Sequence, residues 1–414
     1  MKTSKLILAS VITSTFALIF YSLKVGIFNT KSFDDTITIG ILHSLSGHMA
    51  ITETPLVDSA KMAISEINAS GGIKVGGKSY KVKYILEDGA SDWPTFAAKA
   101  KKLIIQDKVS IIFGGWTTES RKAMIPIFDK NNAILYYPAS YEGEECTNNI
   151  FYSGATPNQQ ILPANDFMFK RSPASGKPFF LVGADNTFTR NTNEITKAQI
   201  NSLGGVIKGE RYLPVNNTEV APIVFKIKNA MPEGGVIINN LIDDQNITFF
   251  KHLKSEGITP DNKYYVMSFK ITEKEVLDIG TVYLENHYVA LNYMMSIDTS
   301  ESKEFSKNFQ KIYGKHRVVT NPLESSYNML FLWKKAVEEA KTFNHKSVKE
   351  ALIGQRHNAP QGTVEVMSNY HLAQNLRIGK VNSQGGFSII EETGNIPPKV
   401  WSPYKTKSKD DICK

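Results

Sequence analysis

The residues able to do chemistry are scattered along this chain rather than gathered. Its histidines stand singly, at His43, His48, His252, His287, His316, His345, His357 and His371, and none forms the HxH or HExxH spacing that turns two imidazoles onto one metal. Nucleophilic and phosphate chemistry lack their signatures as well. There is no G-x-S-x-G elbow, no P-loop and no GxGxxG after a strand, and Gly71-Gly72 and Gly114-Gly115 are isolated pairs of the kind that end helices or permit turns. His43 and His48 flank the first strand-to-helix loop without an Asp, Ser or Cys paired to them, so a structural role fits them better than acid–base work. Two cysteines are present, Cys146 and Cys413, and their spacing excludes a CxxC redox site or a zinc knuckle. In an exported chain such thiols can pair; two unpaired thiols suit the sequence equally well. The absence of a motif does not exclude an enzyme, and the hydroxyls, amides and aromatic rings placed where strands end are the groups to read for binding beside it.

Composition sets the scale of the elements that must position these groups. The 414 residues are 42% apolar and 21% charged, ordinary for a globular chain and long enough for two lobes with separate cores. The net charge is +8, but the 48 Lys and Arg are interspersed with 40 acids and form no basic stripe with interleaved aromatics, which argues against a nucleic-acid partner. Near the N-terminus Lys2 and Lys5 precede an uncharged run from Leu6 to Leu23, followed by Lys24. That pattern fits a secretory h-region or a short membrane span, and export is the expectation. Tyr21-Ser22-Leu23-Lys24-Val25 offers neither an A-x-A-like cleavage pair nor a lipoprotein cysteine, which favours an uncleaved anchor with its lysines in the cytoplasm; a cleaved signal with a poor site stays open.

From Thr36 onward, short β-rich runs alternate with helical patterns: TITIGILHSL, a periodic segment over 57–67, KVKYILED, a helix through 97–106, VSIIFGG, a helix over 120–130, then AILYYPA. This βαβαβαβ order is the mark of a parallel, doubly wound sheet. A second series begins after PNQQ with KPFFLVGAD, GGVIKGERYLP, GGVIINN and KYYVMSF, each separated by a helical stretch. The segment 302–353 is mostly helical, and the stretch 362–392 returns to strands. The expected fold is therefore α/β, with two doubly wound lobes joined by a multi-strand hinge. The expected boundaries are 1–30 for the signal or anchor, 36–154 plus 292–362 for lobe 1, 155–291 plus 363–400 for lobe 2, and 401–414 for a tail. Crossings are expected near 151–157, 288–293 and 360–366, and a ligand site in the crevice outside the carboxyl ends of the strands.

Several blocks in this order carry a resemblance. ILHSLSG with INASGGI, EDGASDWPTFAAKAKKLI, FGGWTTESRKAMIPIF, YYPASYEGEE, NIFYSGATPNQQ and GTVYLENHYVALNY resemble the corresponding blocks of the urea and short-chain amide binding proteins. Those proteins lie within the branched-chain amino acid and amide receptor superfamily of type I periplasmic-binding fold. The resemblance runs from about residue 37 to the C-terminus. It implies an extracytoplasmic, periplasmic receptor, expected as a monomer, that delivers a small neutral polar ligand to an ABC permease without enzymatic activity, cofactor or metal.

The candidate ligand-binding residues follow from strand ends and from this resemblance. Thr117 and Thr118 lie between a strand and a helix, where hydroxyls face a cleft and also cap the helix. The resemblance places Trp116 and Tyr137 as flat walls, and a role as core aromatics suits them equally; Ala139 shares the loop of Tyr137, while Tyr141 and Glu142, in the YEGEE loop, are expected near the inter-lobe opening, with Glu142 equally suited to solvent. Ser44, in the first loop, and Ser268, at a later strand end, are further candidates. In GADNTFTRNTNE, Asp185 is retained as an acceptor for ligand N–H groups, while Asn186 and Thr189 stand where the family carries an aromatic residue and a proline. Asn186 thus removes a wall and adds an amide, which points away from urea itself. Arg190 is read as an ion-pair residue, and Asp243, Asp244, Gln245, Glu324 and Tyr327 are minor candidates. Two alternatives remain: a membrane-anchored amide or amino-acid sensor of the same fold, and an amide hydrolase, which the missing nucleophile disfavours.

Overall fold

A computed structural model describes residues 32–405 and 409–413, so the apolar run at 6–23 lies outside the described residues. Within them, no helix is long and apolar enough to cross a membrane. In the first half of the chain β1 (Asp35–His43), β2 (Ile73–Val75), β3 (Lys78–Asp88), β4 (Ile112–Gly114), β5 (Leu135–Tyr137) and β6 (Ile150–Tyr152) build one sheet, ordered β2-β3-β1-β4-β5-β6. Every neighbouring pair is parallel except β2 with β3. Parallel neighbours need crossovers, supplied by the helices Ala50–Ala69, Trp93–Ile105 and Thr118–Asn131. Because these helices cover the sheet, β4, β5 and β6 are buried along their whole length and read as apolar runs.

The second sheet gathers β7 (Phe179–Ala184), β8 (Ile207–Leu213), β9 (Gly235–Asn240), β10 (Tyr264–Ser268) and β11 (Tyr288–Leu291), all parallel. The chain then returns to the first lobe. Leu330 and Trp333 of the helix Asn321–Ala340 pack with Ile39, Ile41 and Phe113 in its core. A small sheet of β12 (Arg356–Ala359), β13 (Gly362–Val366) and β14 (Leu372–Ala373) follows. Finally β15 (Arg377–Val381) and β16 (Phe387–Glu392) add antiparallel to β11, giving the order β16-β15-β11-β10-β9-β7-β8. The architecture is the expected one, a two-lobe α/β molecule with parallel-dominated sheets.

The chain passes between the sheets after β6, after β11 and between Ala373 and Arg377. The third passage lies later than the 360–366 expected from sequence. Val364, Val366 and Leu372 are buried in the first lobe's core, and an isolated bridge from Tyr152 to His371 extends that sheet past β6. Residues 363–373, assigned to the second lobe from sequence, therefore pack with the first. Their alternation gave the strands but not the lobe, because a short antiparallel unit can cover either sheet.

Beyond β16 the tail runs back across both lobes. Glu144 N donates to Val400 O at 3.0 Å, and Cys413 is disulfide-bonded to Cys146. On the other side Lys405 Nζ donates to Asn191 Oδ1 at 2.5 Å and pairs with Glu194 at 2.7 Å, both on the helix Thr187–Ser202.

Candidate functional site

A cleft of 740 Å3 opens between the lobes, lined from the first by Trp116, Thr117, Thr118, Tyr137, Ala139 and Ser140 and from the second by Asn186, Phe188, Phe269 and Lys270. Its floor depends on glycine. A Cβ on Gly154 would lie 2.1 Å from the carbonyl carbon of Ala139, so only glycine lets the first hinge passage press against the Ala139–Ser140 backbone. On Gly114 a Cβ would lie 1.9 Å from Leu42 O, at a φ of +153°. Past it, Thr117 caps the helix Thr118–Asn131, accepting from Ser120 N at 3.0 Å. Tyr137 donates its hydroxyl to Trp116 O at 2.6 Å, which fixes the loop carrying the indole.

Beneath the floor lies a buried charge cluster. Arg121 places its guanidinium 4.9 Å from the Tyr137 ring and 4.8 Å from the Tyr141 ring. It hydrogen-bonds Glu145 at 2.7 Å and Glu142 at 3.3 Å. Burial opposes the charge on Glu142, yet Arg121 and the Thr118 hydroxyl, donating at 2.8 Å, hold its carboxyl below the usual range. The Thr118 hydroxyl is thereby turned to Glu142.

In the second lobe Asn186 caps the helix Thr187–Ser202, accepting from Thr189 N at 2.9 Å, while Thr189 Oγ1 donates to Asn240 O at 3.3 Å. The two departures from the amide-receptor pattern are thus one hydrogen-bonded unit, and Gly183 makes room for it: a Cβ there would meet the Thr189 methyl at 1.9 Å. Lys270 extends between the lobes, its Nζ 4.1 Å from the Phe188 ring and 5.7 Å from the Trp116 ring. Burial lowers its pKa from 10.5 to about 8. Nearer the mouth, Thr52 donates to Asp243 at 3.3 Å across the gap, and Thr187 N donates to Glu119 at 3.3 Å.

Of the sequence candidates, the structure brings Trp116, Thr117, Thr118, Tyr137, Ala139 and Asn186 to the cleft, together with the minor candidate Asp243. Six others are elsewhere. Ser44 is buried, its amide donating to Glu53 at 3.0 Å and its hydroxyl accepting from Ser91 N at 3.2 Å. Tyr141 stacks on Tyr152 with centroids 4.3 Å apart and shares a 2.6 Å hydrogen bond with His371, so it supports the floor from below. Asp185 faces solvent and pairs with Arg190 at 2.6 Å. Ser268 is buried, accepting from Asn239 Nδ2 at 3.1 Å. Glu142 lies in the buried cluster rather than at the opening, and Glu324 is buried against Gln361 at 3.0 Å.

Sequence reasoning missed Ser140, Gln160, Phe188, Phe269 and Lys270. A usable signal existed in the register. The second residue past each of β4, β5, β7, β9 and β10 is Trp116, Ala139, Asn186, Ile242 and Lys270, and all five line the cleft. Stopping at the strand end selected Ser268 where the loop presents Lys270 two residues on. Gln160 was hidden in the PNQQ turn; its Nε2 donates to Phe269 O at 3.1 Å and to Ala290 O at 2.7 Å, joining the first hinge passage to the second lobe.

Two lobes joined by three passages thus leave a lined cleft at the strand ends. Residues 37–407 match the family described as periplasmic binding protein domain, and the chain belongs to that family. Over 239 residues it is 23% identical to an amino acid binding protein of Pseudomonas aeruginosa, covering 54% of this chain and 62% of that protein. A 112-residue stretch is 27% identical to limonene hydroxylase of Geobacillus stearothermophilus, covering 27% of this chain and 21% of that protein. The chain thus spans less than two thirds of either relative, and so short a match carries no activity across. A solute binding protein of an ABC transporter from R. palustris, in complex with 4-hydroxybenzoate, shares the fold with a TM-score of 0.76 and 23% identity, over 88% of this chain and 98% of that one. Among the described residues, no group of three or more His, Cys, Asp or Glu is placed to hold a metal ion.

Proposed function

We propose that this chain is an extracytoplasmic receptor that closes its lobes over a small solute with a planar carbonyl head, an amide or a carboxylate, and presents the closed form to an ABC permease. The observation that carries the reading is the cleft itself, lined from both lobes at the loops past the parallel strands. A solute touching Trp116 and Tyr137 on one side and Asn186 and Phe188 on the other is held fully only when the lobes are closed. It therefore shifts an open–closed equilibrium by its tighter binding to the closed form. No bond is made or broken. Urea and short amides, which the sequence resemblance suggests, belong to this class, although a 740 Å3 cleft is roomy for a solute of that size. Extracytoplasmic placement is supported by the family and by the apolar run at 6–23.

The test is small-angle scattering of the full chain, purified in mild detergent, with urea, acetamide, leucine and 4-hydroxybenzoate in turn, alongside thermal unfolding. At least one solute is expected to compact the particle and raise its melting temperature together. A solute that raises stability without compaction would sink the closure mechanism, and no response to a wide solute panel would sink the receptor reading.

A further inference from the structure

We infer that Lys270 makes this cleft selective for carboxylates, the acid head on the ammonium and an apolar body among Trp116, Tyr137, Phe188 and Phe269. This rests on the receptor reading and names the ligand class of that site. Three observations lead to it. Lys270 is held between rings of opposite lobes, Phe188 at 4.1 Å and Trp116 at 5.7 Å, so its ammonium stands in the gap that closure seals. Among the described residues, no carboxylate forms an ion pair with it. The acid group beneath the floor, Glu142, is already engaged by Thr118 at 2.8 Å, Arg121 at 3.3 Å and Lys122 at 3.6 Å.

Aromatic faces replace only part of the hydration an ammonium loses, and a buried charge without a countercharge is costly. A neutral amide offers Lys270 one carbonyl dipole. A carboxylate offers a charge-assisted hydrogen bond and cancels the charge, so closure over an acid removes a cost that closure over an amide leaves in place. The same logic gives Asn186 a place, since an amide wall tolerates an acid head without adding a second negative charge. Aromatic acids and aliphatic amino acids share this head and differ in whether an ammonium must also find an acceptor.

The deciding experiment is calorimetric titration of the full chain with benzoate, benzamide, leucine and urea, in the native chain and in Lys270→Met. Benzoate and benzamide share ring and planar head and differ in charge. The native chain is expected to bind benzoate or leucine at least tenfold more tightly than benzamide or urea. A response to benzoate assigns an aromatic acid, and one to leucine an amino acid. Lys270→Met should lose that preference while melting, ligand-free, at or above the native temperature, because the charge that burial disfavours is gone; this shows the variant folds. Lys270→Arg should retain the preference for the acid. Equal or tighter binding of benzamide or urea by the native chain, or an unchanged preference in Lys270→Met, overturns the assignment while leaving the receptor intact. Binding of none of the four, with no compaction by any solute in scattering, overturns both.

Discussion

At Arg121 a fully buried guanidinium lies between two tyrosine rings and answers two buried carboxylates, Glu142 and Glu145. Removing it leaves Glu145 without its cation and Glu142 with Lys122 alone at 3.6 Å, which is the costly way to break a buried ion pair. Arg121→Met is expected to destabilise the protein by about 3–5 kcal/mol, measured as a lowered denaturation midpoint in urea at unchanged slope. Lys270 carries the opposite situation, a cation that no carboxylate among the described residues pairs with. Its pKa of about 8 lies below the ordinary 10.5 because of burial, so between those values the unfolded chain holds the extra proton and this group adds stability to the protein without ligand as pH rises. Acid binding should run the other way, strongest below pH 8 and falling by up to about tenfold per pH unit above it, as the ammonium loses its proton. Glu142 and Arg121 act on Lys270 from beneath, and Asp243, Lys274 and Glu275 line the same cleft. Lys270→Met keeps all of these, so titrations of the variant from pH 7 to pH 10 should show a flat profile if the slope belongs to Lys270. Sequence alone did not give either residue its place. A lysine in a loop reads as a solvated surface residue and an arginine on a helix as a solvated face, and only the packed loops reveal otherwise.

The elements were more legible. Parallel strands buried on both faces must be apolar throughout, and the crossover helices between them must be amphipathic, so the alternation was visible as soon as the runs were marked. The loop after β4 was legible too, because Thr117 reads as a capping residue, whereas Asn186, which caps the helix after β7, was read only as a departure from the family pattern. What the pattern withheld was how far past each strand the cleft begins and which sheet the short β12–β14 unit covers. Tertiary packing decides both, and neither leaves a periodic trace. Gly154 tests the floor at this scale. A Cβ there meets the Ala139 backbone at 2.1 Å, where no side-chain movement can relieve the clash, so Gly154→Ala must displace either the hinge passage or the loop. A loss of about 1–3 kcal/mol is expected, together with weakened solute binding, whereas Gly204→Ala, at a helix end with nothing near its Cβ, should leave binding unchanged.

On the scale of the whole molecule, the two-lobe design followed from two successive βα series, but the tail's course did not. Cys146 and Cys413 were compatible with pairing and with separation, and the distance in sequence carried no hint that the chain end returns to the loop after Ala139. With both cysteines changed to serine, the protein is expected to lose about 2–5 kcal/mol, since the cross-link closes a very long loop in the unfolded chain; thermal unfolding with and without reductant measures it. The bond also has a topological consequence. It joins positions 267 residues apart and encloses the entire second sheet, so the greater part of the polypeptide is a closed ring with the N-terminal third attached to it. A protease cutting once anywhere between Cys146 and Cys413 opens the ring without dividing the molecule. Such a nicked protein should migrate as a single species on a non-reducing gel and separate into two fragments only when a thiol is added.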